Sequence, residues 1–391
     1  MPFSIRLGFR RTVALLSACF IIFTLVSFIT LDPSLVSLMR LPHSFGPEHV
    51  SPQRTASQAT YQEGLHMSNK LGVFHDILVI SRPSRLDRRA TMERLRLALG
   101  VSWTYVDAVS YDASVVSTII DCVRLLRSTT RADTFEWPSN DDLSVGLTET
   151  RPVSPSFPCH PAVPVETGRQ HPRVGSLGDS SAGHLTCATE NRIGGVPLRP
   201  DLSTYMVLNA GKVACWYSHL AAIAQVVSYE DITSTSDSLP AFLILEDDID
   251  MDQRLHEKLL AVWPALPTDW DVVFLGHCWS NESYYPAITR SPDGQEVDLH
   301  PSFAPKCTHA YALNPRSARR LLEHFTFPLF AYSRALDQAM AWLVQSKRIN
   351  AFSLVPSLIV QHKESSSDIS HGSDGMGSGW KERLEHGMLS L

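Results

Sequence analysis

Five acidic side chains follow a continuous apolar stretch in the segment AFLILEDDIDMD, residues 241–252. They are Glu246, Asp247, Asp248, Asp250 and Asp252. Carboxylates this close repel one another unless a cation neutralises them. Because alternate residues of an extended segment point the same way, Glu246 and Asp248 can converge on one ion. Their hard oxygen ligands favour Mg²⁺ or Mn²⁺ over zinc, whereas Asp250 and Asp252 also suit the start of a helix.

The spacing of these acids excludes an EF-hand. Counting from Asp248, the sixth position is Gln253 rather than Gly and the twelfth is Leu259 rather than Glu. The chain contains no GxxxxGK(S/T) loop, and no GxGxxG motif follows a strand, so it is not a P-loop or dinucleotide-binding protein. The acids therefore favour a divalent ion that bridges a diphosphate and offsets the charge growing on a nucleotide leaving group.

Strand-like and helix-like segments alternate around the acidic loop. Apolar runs predict strands at 76–81, 102–109, 241–245, 271–276, 309–314, 351–355 and 357–360, and helical periodicity predicts helices at 83–99, 211–229, 254–263, 315–325 and 335–345. This alternation is typical of an α/β domain with a mainly parallel central sheet. Ligands in such sheets bind beyond the carboxyl ends of the strands, which is where the acidic loop would lie.

The N-terminus carries an uncharged apolar run, residues 12–31. At about 1.5 Å per helical residue this run spans about 30 Å, the thickness of one hydrocarbon core. Arg6, Arg10 and Arg11 precede it, so the positive-inside rule predicts a type II anchor with the rest of the chain in the lumen. The alternatives are a cleaved signal peptide, whose apolar region is normally shorter, and a buried soluble helix.

Composition agrees with a folded domain that is exported. Of the 391 residues, 44% are apolar and 19% charged, and a net charge of −6 argues against a nucleic-acid partner. Of seven cysteines, Cys19 lies in the apolar run, and the pairing of the other six cannot be chosen from sequence. The chain has no CxxC pair, the motif that would predict a structural zinc site. Asn281-Glu282-Ser283 is its only N-glycosylation sequon.

Shifts in composition divide the chain into segments. We predict a cytosolic tail at 1–11, the anchor at 12–31, a stem at 32–72, a catalytic domain at 73–369 and a polar tail at 370–391. Nine of the 25 prolines fall between Pro138 and Pro200, so residues 129–200 are predicted to form a long, flexible insertion within the domain.

Four ordered blocks carry a family likeness. They are ILVISRPSRLDRRATM (77–92), LNAGKVACWYSHL (208–220), LILEDDI (243–249) with WDVVFLG (270–276), and HAYALNPRSARRLLEHF (309–325) with RALDQAM (334–340) and SLIVQHKESSSDI (357–369). Together they resemble glycosyltransferase family 25, which includes lipopolysaccharide and collagen galactosyltransferases. The chain departs from the family pattern at Ser81, Arg82, Lys212, Ala214 and Gln338.

This resemblance implies a GT-A architecture and a metal site at the acidic loop. Glu246 and Asp248 would ligate Mn²⁺ or Mg²⁺, and Asp247 would support them or contact the donor ribose. His362 follows a predicted strand and would be the third ligand, although a surface histidine in a polar tail is the other interpretation.

The remaining donor contacts are expected at the ends of the first two strands. Ser81 stands where the family usually has Asn, and Asp107 would bind uracil or ribose unless it simply ends its strand. Arg88 is expected to contact the diphosphate at a helix start, where cations and backbone N–H groups favour phosphate. Arg85 and Arg89, beside it, are expected to be solvated.

Asp337 is the expected general base, because the family is inverting and needs one carboxylate to deprotonate the acceptor hydroxyl. An exposed helix acid is the alternative. For His219, which lies among apolar residues of a helix, packing is favoured over catalysis. Trp279, Tyr284 and Tyr285 fit either an apolar platform for a sugar face or core packing.

The sequence thus predicts an inverting, metal-dependent glycosyltransferase in the Golgi or endoplasmic reticulum membrane. It would transfer a hexose, with galactose favoured by the resemblance, from a UDP-sugar to a hydroxyl of a glycan or glycoprotein. The alternative is an inactive carbohydrate-binding or scaffolding relative that keeps the fold.

Overall fold

The computed structural model describes residues 69–138, 184–229, 240–289, 297–362, 369 and 384–389. All of them belong to the second of two compact units, Ala59–Leu391. The predicted tail and anchor, most of the stem and the centre of the predicted insertion lie outside these residues. In the part of the chain that is described, no helix is both long and apolar enough to cross a membrane.

The described residues form an α/β domain, as predicted. The strands are β1 (Phe74–Ser81), β2 (Thr104–Asp107), β3 (Ala241–Glu246), β4 (Ile249–Met251), β5 (Val272–Cys278), β6 (Asp298–Pro301), β7 (Lys306–Leu313), β8 (Ala351–Val355) and β9 (Ile359–Gln361). The helices are α1 (Leu86–Leu99), α2 (Ser114–Thr129), α3 (Ala210–Ser228), α4 (Leu255–Val262), α5 (Pro315–Thr326) and α6 (Leu336–Gln345).

Seven strands form the central sheet in the order β2-β1-β3-β7-β5-β8-β6. Strand β1 pairs in parallel with β2 and β3, and β5 pairs in parallel with β8. Strand β7 is antiparallel to both β3 and β5, and β6 is antiparallel to β8. Five of the seven strands therefore run in one direction, which confirms the predicted mainly parallel sheet.

Helices cover both faces of this sheet because its strands are apolar on both sides. Ile244 of β3 and Phe274 of β5 pack into a cluster with α2, α3, α5 and α6. Their neighbours Leu245 and Leu275 point to the opposite face and pack with α1 and α4. This alternation is the two-residue period of a strand, and it explains why the core strands read as continuous apolar runs.

Parts of the predicted insertion belong to the folded core. Residues 129–138 and 184–200 are described, and Phe135, Cys187 and Ile193 within them are almost fully buried. The N–H of Phe135 donates to the carbonyl of Asn191, which joins the two ends. The predicted extent of the insertion is therefore corrected at both ends. Helix α2, whose apolar face packs against α3, was not predicted from the sequence.

Strands β4 and β9 form a separate two-stranded antiparallel ladder that follows the acidic loop. The C-terminal residues 384–389 attach to the same loop. The N–H of Met388 donates to the carbonyl of Met251, and the N–H of Leu389 donates to the carboxylate of Asp250. This part of the predicted polar tail is therefore held against the domain.

Candidate functional site

The predicted site residues gather at one edge of the sheet. Strands β1, β2, β3 and β5 run in one direction and end at Ser81, Asp107, Glu246 and Cys278. The antiparallel strand β7 starts at this edge, and the first residues of α1 and α6 reach it through the contacts described below. The edge is the carboxyl end of the parallel strands, as expected for a ligand site in this class of fold.

Asp247 and Asp248 face Arg88 on the first turn of α1. One guanidinium nitrogen of Arg88 (Nη1) lies 2.8 Å from Asp247 Oδ1 and 3.2 Å from Asp248 Oδ2. Burial alone would lower the pKa of Arg88, but the negative charges of Asp248 and Asp247 outweigh it and raise that pKa. Arg88 was predicted to meet a diphosphate; here it pairs with the two acids of the loop.

His362 lies beside Asp248 because β4 and β9 are paired. Ile249 is the register partner of Gln361, and in the next position the backbone N–H of His362 donates to the carbonyl of Asp248 at 2.6 Å. Two residues 114 positions apart in the chain are thereby adjacent, and the contact between them is a hydrogen bond from backbone to backbone. The carboxylate of Asp248 is a ligand type that suits Mn²⁺, but within the described residues the ligand atoms of Glu246, Asp248 and His362 do not gather within 4.8 Å of one another.

Glu246 is held from a different direction, by β7 and α3. Its Oε1 accepts a hydrogen bond from the Thr308 hydroxyl at 2.8 Å and lies 3.3 Å from Nε2 of His219. Nδ1 of the same histidine lies 3.0 Å from the hydroxyl of Tyr311. Burial would raise the pKa of Glu246, but hydrogen bonds from His219 and Thr308 and electrostatic interactions with His219 and His309 outweigh it, so the pKa is lowered and the carboxylate stays ionised.

His219 is buried, as the packing interpretation predicts, yet it also makes two polar contacts at the site. The sequence analysis named neither Thr308 nor Tyr311. Their closeness to Glu246 and His219 depends on the pairing of β3 with β7, which a single sequence does not reveal.

Asp337 lies at the start of α6, where its Oδ1 accepts the N–H of Gln338 at 2.8 Å. Its Oδ2 lies 3.5 Å from the N–H of Cys307 on β7. Burial raises the pKa of Asp337 and the charge of Glu246 adds to this, while these two N–H groups and Lys212 oppose it. The predicted base is therefore a partly buried carboxyl within electrostatic reach of the acidic loop, rather than an exposed helix acid.

Ser81 and Asp107 are joined by Arg89. Its Nε lies 3.2 Å from the Ser81 hydroxyl, and its Nη2 lies 2.6 Å from a carboxylate oxygen of Asp107. Its guanidinium also stacks over the Tyr105 ring. Arg89 was expected to be solvated; instead it joins the two strand ends. Arg85, which was also expected to be solvated, has only 14% of its side chain exposed and pairs with Asp87 at 2.9 Å.

Lys212, one of the departures from the family pattern, has a structural role. Its ammonium donates to the carbonyls of Thr204 and Tyr205 and to that of Val207, so it holds the short helical turn before α3. Burial lowers the pKa of Lys212, while Cys187 and Asp337 oppose that shift.

Cys215 and His219 extend the site beneath Glu246. They lie four residues apart on α3, and ligand atoms of Cys215, His219 and Glu246 all lie within 4.8 Å of one another. Cys215 is not in a disulfide, whereas Cys278 is bonded to Cys307 and Cys122 is also disulfide-bonded. Burial raises the pKa of the Cys215 thiol well above its ordinary value, and the carboxylates of Glu246, Asp337 and Asp248 add to this.

The aromatic residues after β5 lie on the surface. Trp279, Tyr284 and Tyr285 are between 42% and 60% exposed, and Tyr284 stacks on Phe303 with 4.3 Å between ring centroids. Of the two predicted interpretations, core packing is therefore excluded. The neighbouring disulfide Cys278–Cys307 ties this segment to the strand whose N–H faces Asp337.

No family model matches the chain, and no curated protein matches it significantly. The resemblance to glycosyltransferase family 25 therefore stays a prediction from the motifs of the chain.

Proposed function

We propose that this protein is an inverting, metal-dependent glycosyltransferase that resembles family 25 and has a GT-A-like domain. Its donor would be a UDP-hexose, with galactose favoured, and its acceptor a hydroxyl of a glycan or glycoprotein. The proposal includes an N-terminal anchor at 12–31 and a luminal domain in the Golgi or endoplasmic reticulum. The observation that supports it is the position of Arg88, Glu246, Asp248 and Asp337 near the carboxyl ends of the parallel strands, with His362 joined to Asp248 through a backbone hydrogen bond.

The donor set fits a hard divalent cation. Asp248 and His362 are adjacent across the β4–β9 ladder, and Glu246 ends the strand that leads into Asp248. Mn²⁺ or Mg²⁺ held by these three residues would supply positive charge to the diphosphate of the donor. Asp247 and Arg88, which pair at 2.8 Å, would position the acidic loop at the start of α1.

Each of the other predicted residues has a role that its contacts allow. The planar guanidinium of Arg88 would donate hydrogen bonds to oxygens of the donor phosphate, because the spacing of its N–H groups matches that of phosphate oxygens. Asp107 and Ser81, joined through Arg89, would form the part of the site that receives the nucleoside. Asp337 would accept the proton of the acceptor hydroxyl, because it is a carboxyl with a raised pKa within reach of the acidic loop.

The decisive experiment compares Asp248→Asn with Asp252→Asn in the full chain. Both changes remove one negative charge at nearly constant size from the same acidic segment. Asp252 faces away from the proposed site: it accepts the N–H of Arg254 before α4 and pairs with Lys258 at 2.7 Å. Asn can still accept that N–H, so Asp252→Asn tests for a nonspecific charge effect.

Mn²⁺-dependent release of UDP from a panel of UDP-sugars is measured for both variants. Losing one stabiliser of transition-state charge costs on the order of 10²–10³ in rate, so Asp248→Asn should fall at least that far. Asp252→Asn should keep its turnover per folded molecule, with a lower melting temperature from the lost ion pair. Equal turnover in the two variants would overturn the metal assignment. A wild-type chain that releases no UDP from any sugar donor would favour the inactive carbohydrate-binding alternative.

A further inference from the structure

We infer that Cys215, His219 and Glu246 form a second cation site, of the zinc class, beneath the acidic loop. Two of its three ligands, Cys215 and His219, do not belong to the proposed Mn²⁺ site, and it would bind a different class of cation. It does not depend on glycosyl transfer, since only Glu246 is common to both sites.

The geometry of α3 brings two of the ligands together. Residues four apart on a helix lie on the same face, so the thiol of Cys215 and the imidazole of His219 point toward the same place. Strand β3 ends opposite them and supplies Glu246, whose Oε1 is 3.3 Å from His219 Nε2. With all three ligand atoms within 4.8 Å of one another, small side-chain rotations bring them around one ion.

Each of two ligands is already oriented by a neighbouring group. A histidine that binds a metal through one ring nitrogen usually donates its other N–H to a nearby acceptor. Here Nδ1 of His219 lies 3.0 Å from the Tyr311 hydroxyl, which leaves Nε2 directed at Glu246. The Thr308 hydroxyl fixes Glu246 in the same way, at 2.8 Å.

The ligand types select the ion. A thiolate is a soft ligand that Mg²⁺ and Mn²⁺ do not favour, whereas Zn²⁺ and Co²⁺ bind sulfur, imidazole and carboxylate together. One thiolate and one carboxylate carry two negative charges, which a divalent cation balances in a site where His219 is 1% exposed. Three protein ligands leave the fourth tetrahedral position open for water.

Cobalt tests the site directly, because a Co²⁺–thiolate bond produces a charge-transfer absorption in the near ultraviolet. The full chain, with its disulfides intact, is purified in detergent, stripped of metal with a chelator and titrated with Co²⁺ and Zn²⁺. We expect one Co²⁺ per chain with this absorption, and we expect Zn²⁺ to displace it. Mn²⁺ should not displace it, because thiolate sulfur is a poor ligand for manganese.

Three variants test whether the absorption depends on Cys215 itself. Cys215→Ser should lose the absorption and at least about tenfold in Zn²⁺ affinity, a loss that removal of a group hydrogen-bonded to a ligand can already produce. Cys187→Ser alters the other cysteine found without a disulfide in the described residues, and it should keep the absorption. Asp248→Asn should also keep it while losing UDP-sugar turnover, so failure of this inference and failure of the proposed function are distinguishable.

A measurement on the wild-type chain removes any dependence on how the variants fold. Zn²⁺ should protect Cys215 from alkylation by iodoacetamide, as read by peptide mass spectrometry, whereas Mn²⁺ should not. The inference is overturned by a wild-type chain without the absorption at saturating Co²⁺, by an equal absorption in Cys215→Ser, or by alkylation of Cys215 at the same rate with and without Zn²⁺. In each of these outcomes His219 and Glu246 form only a hydrogen-bonded pair.

Discussion

At the scale of single residues, the site is a set of charges whose behaviour depends on their neighbours. Asp337 and Asp248 are both aspartates, yet one accepts only backbone N–H groups and the other lies beside a guanidinium. Asp337 is therefore sensitive to burial, and Asp248 to nearby charge. Two predictions follow from these two environments.

Asp337→Asn should lower turnover about 10²–10⁴-fold, the usual contribution of a general base. A base works when ionised, and burial raises the pKa of Asp337, so wild-type activity should fall as the pH drops through that raised pKa. This acidic limb should begin at a higher pH than for an exposed aspartate, and the residual activity of the variant should lack it. The pH profile of UDP release checks this.

The same change should not destabilise the fold near neutral pH. A carboxyl whose pKa is raised on folding favours the protonated form, so its ionised form opposes folding above that pKa. Asp337→Asn removes this penalty, and its melting temperature should match or exceed that of wild type. Asp121→Asn, an exposed acid on α2, is the matched control and should change neither turnover nor the pH profile. An unchanged acidic limb in Asp337→Asn would assign the proton transfer to another group.

Arg88→Gln should destabilise the metal-free protein, because Asp247 and Asp248 lose the cation that faces them. Removing one partner of a buried pair costs up to about 3–5 kcal/mol. The extra negative charge should strengthen Mn²⁺ binding, so added Mn²⁺ should raise the melting temperature more in the variant than in wild type. Donor KM should rise as well. Thermal melting with and without Mn²⁺ measures the first two effects.

Arg85→Gln is the control on the same helix turn. Arg85, with 14% of its side chain exposed, pairs with Asp87, whose side chain is 55% exposed, so solvent partly screens this pair. Its response to Mn²⁺ should equal that of wild type. If added Mn²⁺ raises the melting temperature of Arg88→Gln no more than that of wild type, Asp247 and Asp248 do not bind the ion.

At the scale of elements, the site depends on how closely three strands approach one another. Gly276 in β5 lies where β7 and β9 meet, and His309 of β7 contacts the carbonyl of Ile359 in β9 at 2.9 Å. A Cβ on Gly276 would come within 2.1 Å of His309 Nε2 and 2.3 Å of that carbonyl oxygen. Only glycine permits this approach, and the approach in turn positions β9 and His362.

Gly276→Ala should therefore lower the free energy of unfolding by about 1–3 kcal/mol or more, the range for overpacking a core. It should also weaken Mn²⁺ binding through displacement of β9. Gly194→Ala is the matched control, since a Cβ there meets no atom within 4 Å, and it should change stability by less than about 0.5 kcal/mol. Urea denaturation of both variants gives the two free energies of unfolding. Similar values would mean that β5, β7 and β9 can move apart to admit the methyl group without loss of stability.

At the scale of the whole molecule, the proposed catalytic unit is separable from the predicted anchor. The second compact unit begins at Ala59, and every residue assigned to the proposed site lies within it. The first 31 residues contain the apolar run and its preceding arginines. The anchor is thus expected to set location rather than to shape the site.

Replacing residues 1–31 with a cleavable secretory signal should give a secreted, soluble chain. Its turnover per molecule should match that of the full chain in detergent, because no residue of the proposed site is removed. Secretion is measured in the culture medium and turnover by UDP release. A secreted, folded chain without activity would show that the membrane segment does more than anchor the domain.

The local sequence pattern determined most of the secondary structure and the expected position of the site. The apolar strand before the acids, the alternation of strands and helices, and the position of the site at the strand ends all follow from short-range periodicity and from the geometry of parallel sheets. These features need only the neighbours of each residue in the chain. Most helix and strand positions were therefore predicted to within a few residues.

The tertiary structure alone decided which side chains meet. Glu246 contacts His219 and Thr308, Asp248 lies beside Arg88 and His362, and the ends of the proline-rich segment enter the core. These partners lie tens to more than a hundred positions apart, and their pairing is set by strand order and register, which depend on packing of the whole sheet. A single sequence records the residues but not the register, so it could name the acids without showing how their charges are shared.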